Sequence, residues 1–406
     1  MLKSIALASA AVLAASTAQA AEIKHVFVIA LENHNFVQPQ AVTDAGLHQI
    51  FGNAAAPYIN SLVTAGNPNA AQVSFASNYI NVPPQNGHAT HPSEPNYVWS
   101  EAGKTGPLND ATPYPNNIVS GPSLSAALQA SGQSWKSYQE GIDLVRGASG
   151  QLTNQVAQPS DYVVPLSNFS GTSADYTNPY NGSHQFNYAA KHNPEVFFTA
   201  TNGGNDPTSA NPEAKFYAPL EQLAGDLAAN TVADYNFITP DQFNDMHTAL
   251  TGGFTYNGVH YSGDQASIAQ GDNFLSMLVP MIMASQAYQD NGAIVIWNDE
   301  TEGDTILGSA GLTSTEIVIS PLAKGNAYTN TIAYDHSSDL RTWQEVFGLT
   351  PSNGTPFFGG AAHATDLRDL FKDKSAVVPE PSTWAVMLLG FGLAGAGLRR
   401  RVTRTA

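Results

Sequence analysis

Ile23-Lys-His-Val-Phe-Val-Ile-Ala-Leu31, running straight into Glu32-Asn33, is the stretch that decides the fold class. Its apolar and β-branched residues stand on consecutive positions, not alternate ones. A strand of that kind needs cover on both faces, so it reads as a buried parallel strand. Ala293–Trp297 is a second such run and ends in Asn298-Asp299-Glu300; Glu316–Ser320 is a third, and Tyr235–Ile238 a shorter fourth. Helical stretches lie between them: Ser123–Ser131, with Leu124, Ala127 and Leu128 at helical spacing, then Leu220–Asn230 and Asn273–Asp290. Strands alternating with helices predict an α/β domain, a mostly parallel central sheet flanked by helices. Residues 141–218, rich in Gly, Ser, Asn, Thr and Tyr, read as a loop-rich insertion capping the site.

The 406 residues are 42% hydrophobic and 12% charged, enough apolar material for a large core. The formal net charge of -17 repels nucleic-acid phosphates, so nucleic acid is not expected as a partner. It does not exclude a phosphate ester, because a bound divalent ion reverses the field locally. With no cysteine, thiolate zinc sites, disulfides and a cysteine nucleophile are excluded. Asp, Glu, His and Asn remain as metal ligands, suited to Zn, Mn, Ca or Mg.

Both ends read as addresses. Lys3, the apolar stretch Ile5–Ala15 and Ala18-Gln-Ala20 form a secretory signal over residues 1–20, with a mature start at Ala21. At the other end Val378-Pro-Glu-Pro381 precedes an apolar run, Trp384–Leu398, closed by Arg399, Arg400 and Arg401. That run is short for a comfortable bilayer span, although local thinning could accommodate it, so an anchor and only transient membrane contact are both open readings. The catalytic domain is expected between them, over residues 21–374, with the tail at 375–406.

Polar residues collect just past the strands, where open parallel sheets build their sites. Glu32 can bind a metal and Asn33 can donate to a phosphoryl oxygen, although an acid in this position also caps helices. In Asn86-Gly-His-Ala-Thr-His-Pro-Ser-Glu-Pro-Asn-Tyr97, two prolines fix the turn around Ser93 before a helix from about Asn96. A phosphoryl group on Ser93 would be favoured by that helix N-terminus, and a metal would activate the hydroxyl; the bland reading is a capping serine. Asp245 and His247, two apart after Tyr235–Ile238, suit a divalent metal. Asp299 and Glu300 end an apolar strand at a cost unless a cation meets them. His336 precedes a helix starting near Leu340 and stands as the last ligand.

Taken in order, these segments resemble the bacterial and fungal phosphoesterase family of acid phosphatases and phospholipases C, within the alkaline-phosphatase-like superfamily. The resemblance rests on His25-Val-Phe-Val-Ile with Glu32-Asn33, His91-Pro-Ser-Glu-Pro-Asn-Tyr97, Ser134-Trp-Lys-Ser-Tyr-Gln-Glu140, Lys191-His-Asn-Pro194, Asn244-Asp-Met-His247, Ile294–Glu300 and Asp335-His-Ser with Arg341-Thr342. It implies an exported phosphoric ester hydrolase, most simply a phosphomonoesterase working through a phosphoserine on Ser93. Glu32, Asn33, Ser93, Asp299 and Glu300 would gather a metal, and Asp245, His247 and His336 a second metal or the phosphate. His88, His91 and His192 would contact phosphate or protonate the leaving group. A phospholipase C or other phosphodiesterase using the same centre, and a surface protein that has lost catalysis, are the rival readings. The strand ends Trp-Asn-Asp-Glu where the family has Trp-Asp-Glu, which leaves the division between Asp299 and Glu300 open. The C-terminal segment resembles a PEP-CTERM sorting tail. It implies exosortase processing and delivery to the periplasm, surface or matrix of a Gram-negative bacterium.

Overall fold

Val26–Leu31 (β1) lies in the middle of an eight-stranded sheet, with all six residues buried. The other strands, in chain order, are Val73–Ala76 (β2), Trp135–Gln139 (β3), Tyr217–Pro219 (β4), Tyr235–Thr239 (β5), Ala293–Asn298 (β6), Glu316–Ile319 (β7) and Tyr328–Asn330 (β8). Their order across the sheet is β8-β2-β7-β6-β1-β5-β3-β4. The structure is a computed structural model, and it describes residues 22–81, 89–113, 118–308 and 310–372. The expected signal segment, His88 and the Pro-Glu-Pro tail lie outside the described residues. Ile23–Lys372 is one compact unit.

Successive side chains of a strand face opposite ways, and β1 divides the core accordingly. Val26, Val28 and Ala30 pack with Val295, Trp297, Phe237, Tyr97, Leu340 and Trp343 on one face. Phe27, Ile29 and Leu31 pack with Ile294, Ile296, Phe274, Leu275 and Leu278 on the other. The first face is covered by Ser93–Ala102 (α1) and His336–Val346, the second by the long helix Asp264–Met283. Helices on both faces explain why β1 carries apolar side chains at every position. Truncating a side chain such as Phe27 to Ala would cost about 3–5 kcal/mol.

Four expectations are corrected. Glu316–Ile319 is buried but runs antiparallel to both neighbours; an apolar run says nothing about direction. Residues 141–218 are not all insertion, because Tyr217–Pro219 pairs with β3 as an edge strand. The helix expected at Asn273–Asp290 begins at Asp264 and stops at Met283, and Ser285 caps a separate short turn. Helix starts expected at Asn96 and Leu340 fall earlier, at Ser93 and His336. The helix Leu124–Ser131 lies where the spacing of Leu124, Ala127 and Leu128 puts it, and Ser123 caps it.

The parallel strands β6, β1, β5 and β3 end on one edge. Leu31 pairs with Asn298, so the chain leaves β1 and β6 at the same level. Backbone bonds then tie the exits together: Asp299 N–H donates to Leu31 C=O at 3.0 Å, and Glu32 N–H to Asp245 C=O at 2.7 Å. The helix α1 brings its N-terminus to this edge and ends at Gly103 (φ +67), where a Cβ would lie 2.1 Å from the Phe358 carbonyl oxygen.

Candidate active site

Ser93 is the first residue of α1 and is buried. Its hydroxyl donates to Glu32 Oε2 at 2.8 Å. The Asn33 side-chain amide nitrogen faces three carboxylate oxygens, Glu32 Oε2 at 3.0 Å, Asp299 Oδ1 at 3.1 Å and Glu300 Oε1 at 3.3 Å, and donates its N–H groups among them. Asn298 completes β6 and donates from its side chain to the Glu32 carbonyl at 2.8 Å. The extra residue in Trp-Asn-Asp-Glu thus extends the strand, and both Asp299 and Glu300 reach Asn33.

Glu32 Oε1 accepts from the Tyr97 hydroxyl at 2.7 Å and lies 3.1 Å from His192 Nε2. The His192 ring stacks on Tyr97 (centroids 5.0 Å apart, 16° between planes), and its Nδ1 is 3.4 Å from Asp245 Oδ2. Burial, then repulsion by Lys191 and a smaller contribution from His247, push His192 well below its ordinary pKa, so it is neutral. Burial raises Glu32, Asp299 and Asp245, and each is raised further by a neighbouring acid: Asp299, Glu300 and Glu32 respectively. Glu300 is pushed up to about 7 by burial, against the pull of His91.

His91 stands at the open side, with Nδ1 3.0 Å from Glu300 Oε2 and Nε2 3.7 Å from Asp304. Burial alone would lower it, but contact with Asp304 and Glu300 carries it to about 10, so it is an imidazolium. His247 is exposed, with Nδ1 on the Thr248 hydroxyl at 2.9 Å and its ring centroid 6.2 Å from that of His192. His336 does not reach the acids with its ring. Nδ1 meets the Tyr79 hydroxyl at 2.8 Å, and Nε2 meets the Asp299 carbonyl at 3.0 Å and the Asn81 amide at 2.8 Å. It braces the backbone that carries Asp299.

Sequence reasoning passed over a further contact. The amide N–H of Glu94, the residue after Ser93, donates to Asp110 Oδ1 at 3.2 Å, and Lys191 Nζ donates to Asp110 Oδ2 at 2.8 Å. Lys191 adjoins His192 in a quoted motif, but nothing local to Asp110 marked it.

The donor set fits a divalent metal. Four buried acids, Glu32, Asp245, Asp299 and Glu300, crowd together beside the Ser93 hydroxyl and the Asn33 amide. A cation among Glu32, Asn33, Ser93, Asp299 and Glu300 would satisfy all of them. Glu32, His192 and Asp245 also offer one ligand atom each, all within 4.8 Å of one another.

A family model, the Phosphoesterase family, matches residues 33–350. The chain belongs to that family. The phosphoesterase is 25% identical over 349 residues to the phosphatidylinositol-3-phosphatase of Mycobacterium tuberculosis, a match covering 86% of this chain and 83% of that one. It is 29% identical over 160 residues to a probable acid phosphatase of Kluyveromyces lactis, covering 39% of this chain and 30% of that one. Residues 377–401 match the PEP-CTERM protein-sorting motif. Among solved structures, a protein in the alkaline phosphatase superfamily from Vibrio parahaemolyticus superposes with TM-score 0.45 at 10% identity, covering 87% and 74% of the two chains. The lipoteichoic acid synthase LtaP from Listeria monocytogenes does so with TM-score 0.47 at 10% identity, covering 85% and 77%. The phosphoesterase is accordingly a hydrolase of phosphoric esters, built on the α/β sheet described above. No helix among the described residues is long and apolar enough to cross a membrane.

Proposed function

We propose an exported, metal-dependent phosphomonoesterase that works through a phosphoserine on Ser93. One observation carries it. The buried Ser93 hydroxyl sits on Glu32, and directly beside it the Glu94 N–H and Lys191 Nζ already hold a carboxylate, that of Asp110. A carboxylate and a phosphate present similar oxygens to such donors, so this pair forms the cradle for the substrate's terminal oxygens, with Asp110 as its placeholder.

Glu32, Asn33, Ser93, Asp299 and Glu300 would hold the metal, which when bound lowers the serine pKa and offsets phosphoryl charge. The Ser93 hydroxyl gives its proton toward Glu32 Oε2, and Oγ attacks phosphorus in line. The phosphorus–oxygen bond to the leaving group breaks, and His91, charged and on the open side, supplies that oxygen with a proton. Water then attacks the phosphoserine and releases phosphate. Neutral His192 and Tyr97 fix Glu32 throughout. Lys191 with the Glu94 amide favours a monoester, whose terminal phosphate brings more charge to that cradle than a diester does. The name of the mycobacterial relative points the same way. The division into residues 1–20, 21–374 and 375–406, and export followed by exosortase processing, are part of the same reading and supported by the sorting motif.

The test is turnover of p-nitrophenyl phosphate against its bis ester and phosphatidylcholine, with Ser93→Ala alongside. Monoester turnover lost in a folded Ser93→Ala protein is the expected result. Preference for the bis ester or lipid would move the assignment to phosphodiesterase, and near-normal turnover in the variant would remove Ser93 from its role.

A further inference from the structure

Two residues beyond Glu32 and two beyond Glu300, the same two loops carry another set of donors. His34 is buried, with Nε2 3.1 Å from Asp264 Oδ1. Asp264 opens the long helix Asp264–Met283. One atom each from His34, Asp264 and Glu302 lies within 4.8 Å of the others. Glu302 Oε2 is buried and has no hydrogen-bond partner. None of these residues belongs to the set around Ser93.

We propose that His34, Asp264 and Glu302 form a second metal site, separate from the catalytic one, for a zinc-type divalent ion. Three observations meet there. The His34 Nδ1 lies 3.4 Å from the Glu32 carbonyl, the backbone contact that commonly turns the other ring nitrogen of a histidine toward a metal. With metal–ligand bonds of about 2.0–2.1 Å, tetrahedral ligand atoms stand about 3.3 Å apart, and the 3.1 Å between His34 and Asp264 is close to such an edge. The second Asp264 oxygen is already held by His48, from its backbone N–H at 2.9 Å and its Nδ1 at 2.7 Å, which fixes the carboxylate and leaves Oδ1 directed at His34. One imidazole with two carboxylates suits zinc, unlike the all-oxygen set around Ser93, which suits harder ions.

The site's place in the fold gives it a purpose. It would pin the loop after β1, the loop after β6 and the N-terminus of a core helix to one point. The first two of those segments carry Glu32, Asn33, Asp299 and Glu300. The second ion is therefore a brace for the catalytic loops, and it contacts no substrate.

The experiment is metal analysis of the full-length protein after equilibration with Zn2+, together with Co2+ titration followed by visible absorption. Wild type should hold one more ion per chain than His34→Ala or Asp264→Asn, and the cobalt bands of a tetrahedral site should vanish in both variants. Ser93→Ala should keep that ion and those bands, so loss of the catalytic reading leaves this one standing. Should both variants fold poorly, His48→Ala, which touches only the supporting carboxylate oxygen, should weaken the second ion about 10-fold. An equal ion count in wild type and His34→Ala, or cobalt bands that survive Asp264→Asn, would overturn the proposal; a bare His34–Asp264 ion pair would then be what the cluster is.

Discussion

Asp110→Ala should make the enzyme bind phosphate better. Asp110 holds the two donors proposed to cradle the substrate, Lys191 Nζ at 2.8 Å and the Glu94 N–H at 3.2 Å. Each substrate that binds must displace it. A hydrogen bond to a charged group is worth about 1.5–3 kcal/mol when buried, and an exposed ion pair about 0–1 kcal/mol. The Asp110 side chain is 37% exposed and that of Lys191 12%, so the two contacts together lie between these limits, at about 1–2 kcal/mol. At 1.4 kcal/mol per factor of ten, that is about 5–30-fold. The KM for p-nitrophenyl phosphate and the inhibition constant of inorganic phosphate should both fall by that factor in Asp110→Ala, with kcat little changed. Steady-state kinetics at low and high salt supply the check. Salt weakens the wild-type ion pair, so the gap between variant and wild type should narrow at high ionic strength. Lys191→Met should move KM the opposite way, by about 10-fold or more. A KM that rises or stays put in Asp110→Ala would refute the reasoning, since Asp110 would then be an anchor holding Lys191 in place.

Tyr97→Phe should keep the ring stacked on His192 but remove its 2.7 Å bond to Glu32, lowering kcat about 10-fold with an unchanged melting temperature. Gly271→Ala would set a Cβ 2.3 Å from Met246 Cγ; it should cost about 1–3 kcal/mol in denaturant unfolding and lower kcat, because Met246 lies between Asp245 and His247. Burial raises Glu101 to about 7 and raises its neighbour Glu195 further, partly through their mutual repulsion. Their folded pKa values exceed the unfolded ones, so the stability they confer is complete below about pH 4.5 and is lost as pH rises, through about 7 in the case of Glu101. Glu195→Gln should therefore melt higher than wild type at pH 8, with a gap that closes by pH 5. Chelation should abolish hydrolysis and lower the melting temperature; retention of both would count against a metal among Glu32, Asn33, Asp299 and Glu300.

The central strands were legible because burial on both faces writes itself as an unbroken apolar run, as in Val26–Leu31 and Ala293–Asn298. Val73–Ala76, Trp135–Gln139 and Tyr328–Asn330 escaped because they are short or mix polar residues into the run. Trp135-Lys-Ser-Tyr-Gln139 carries Lys136 and Ser137, whose partners Asp226 and Asn193 lie far along the chain. The reversed direction of Glu316–Ile319 is a property of its connections, which no composition records. In the site, Glu32, Asn33, Ser93, Asp299 and Glu300 were each ambiguous alone, since strand-end acids and a capping serine are common; the order of their segments and the family resemblance made them one set, and the fold brings their side chains together. His336 gains weight as a ligand only from the presence of the other ligands; its ring is spent on Tyr79, the Asn81 amide and the Asp299 backbone. Asp110 and the His34–Asp264–Glu302 cluster were invisible because they exist only when residues far apart in the chain meet.

An acidic chain that hydrolyses an anionic ester must solve a charge problem, and the site shows how. Glu32, Asp245, Asp299 and Glu300 are buried together, while the positive groups facing them are Lys191 and the His91 imidazolium. Without a metal, the raised carboxyl pKa values mean that protons must hold the cluster together. On the proposed reading a single divalent ion would cancel the remaining excess and free the acids to ionise, which would make metal binding and proton release one event. Asp110 then completes the balance. Its carboxylate faces Lys191 and the helix N-terminus, and under the proposed mechanism a phosphate would take the same donors. The substrate thus exchanges one anion for another and adds little new charge to an acidic protein. On this reading the affinity for phosphate is set less by the net charge of -17 than by how firmly Asp110 holds its place.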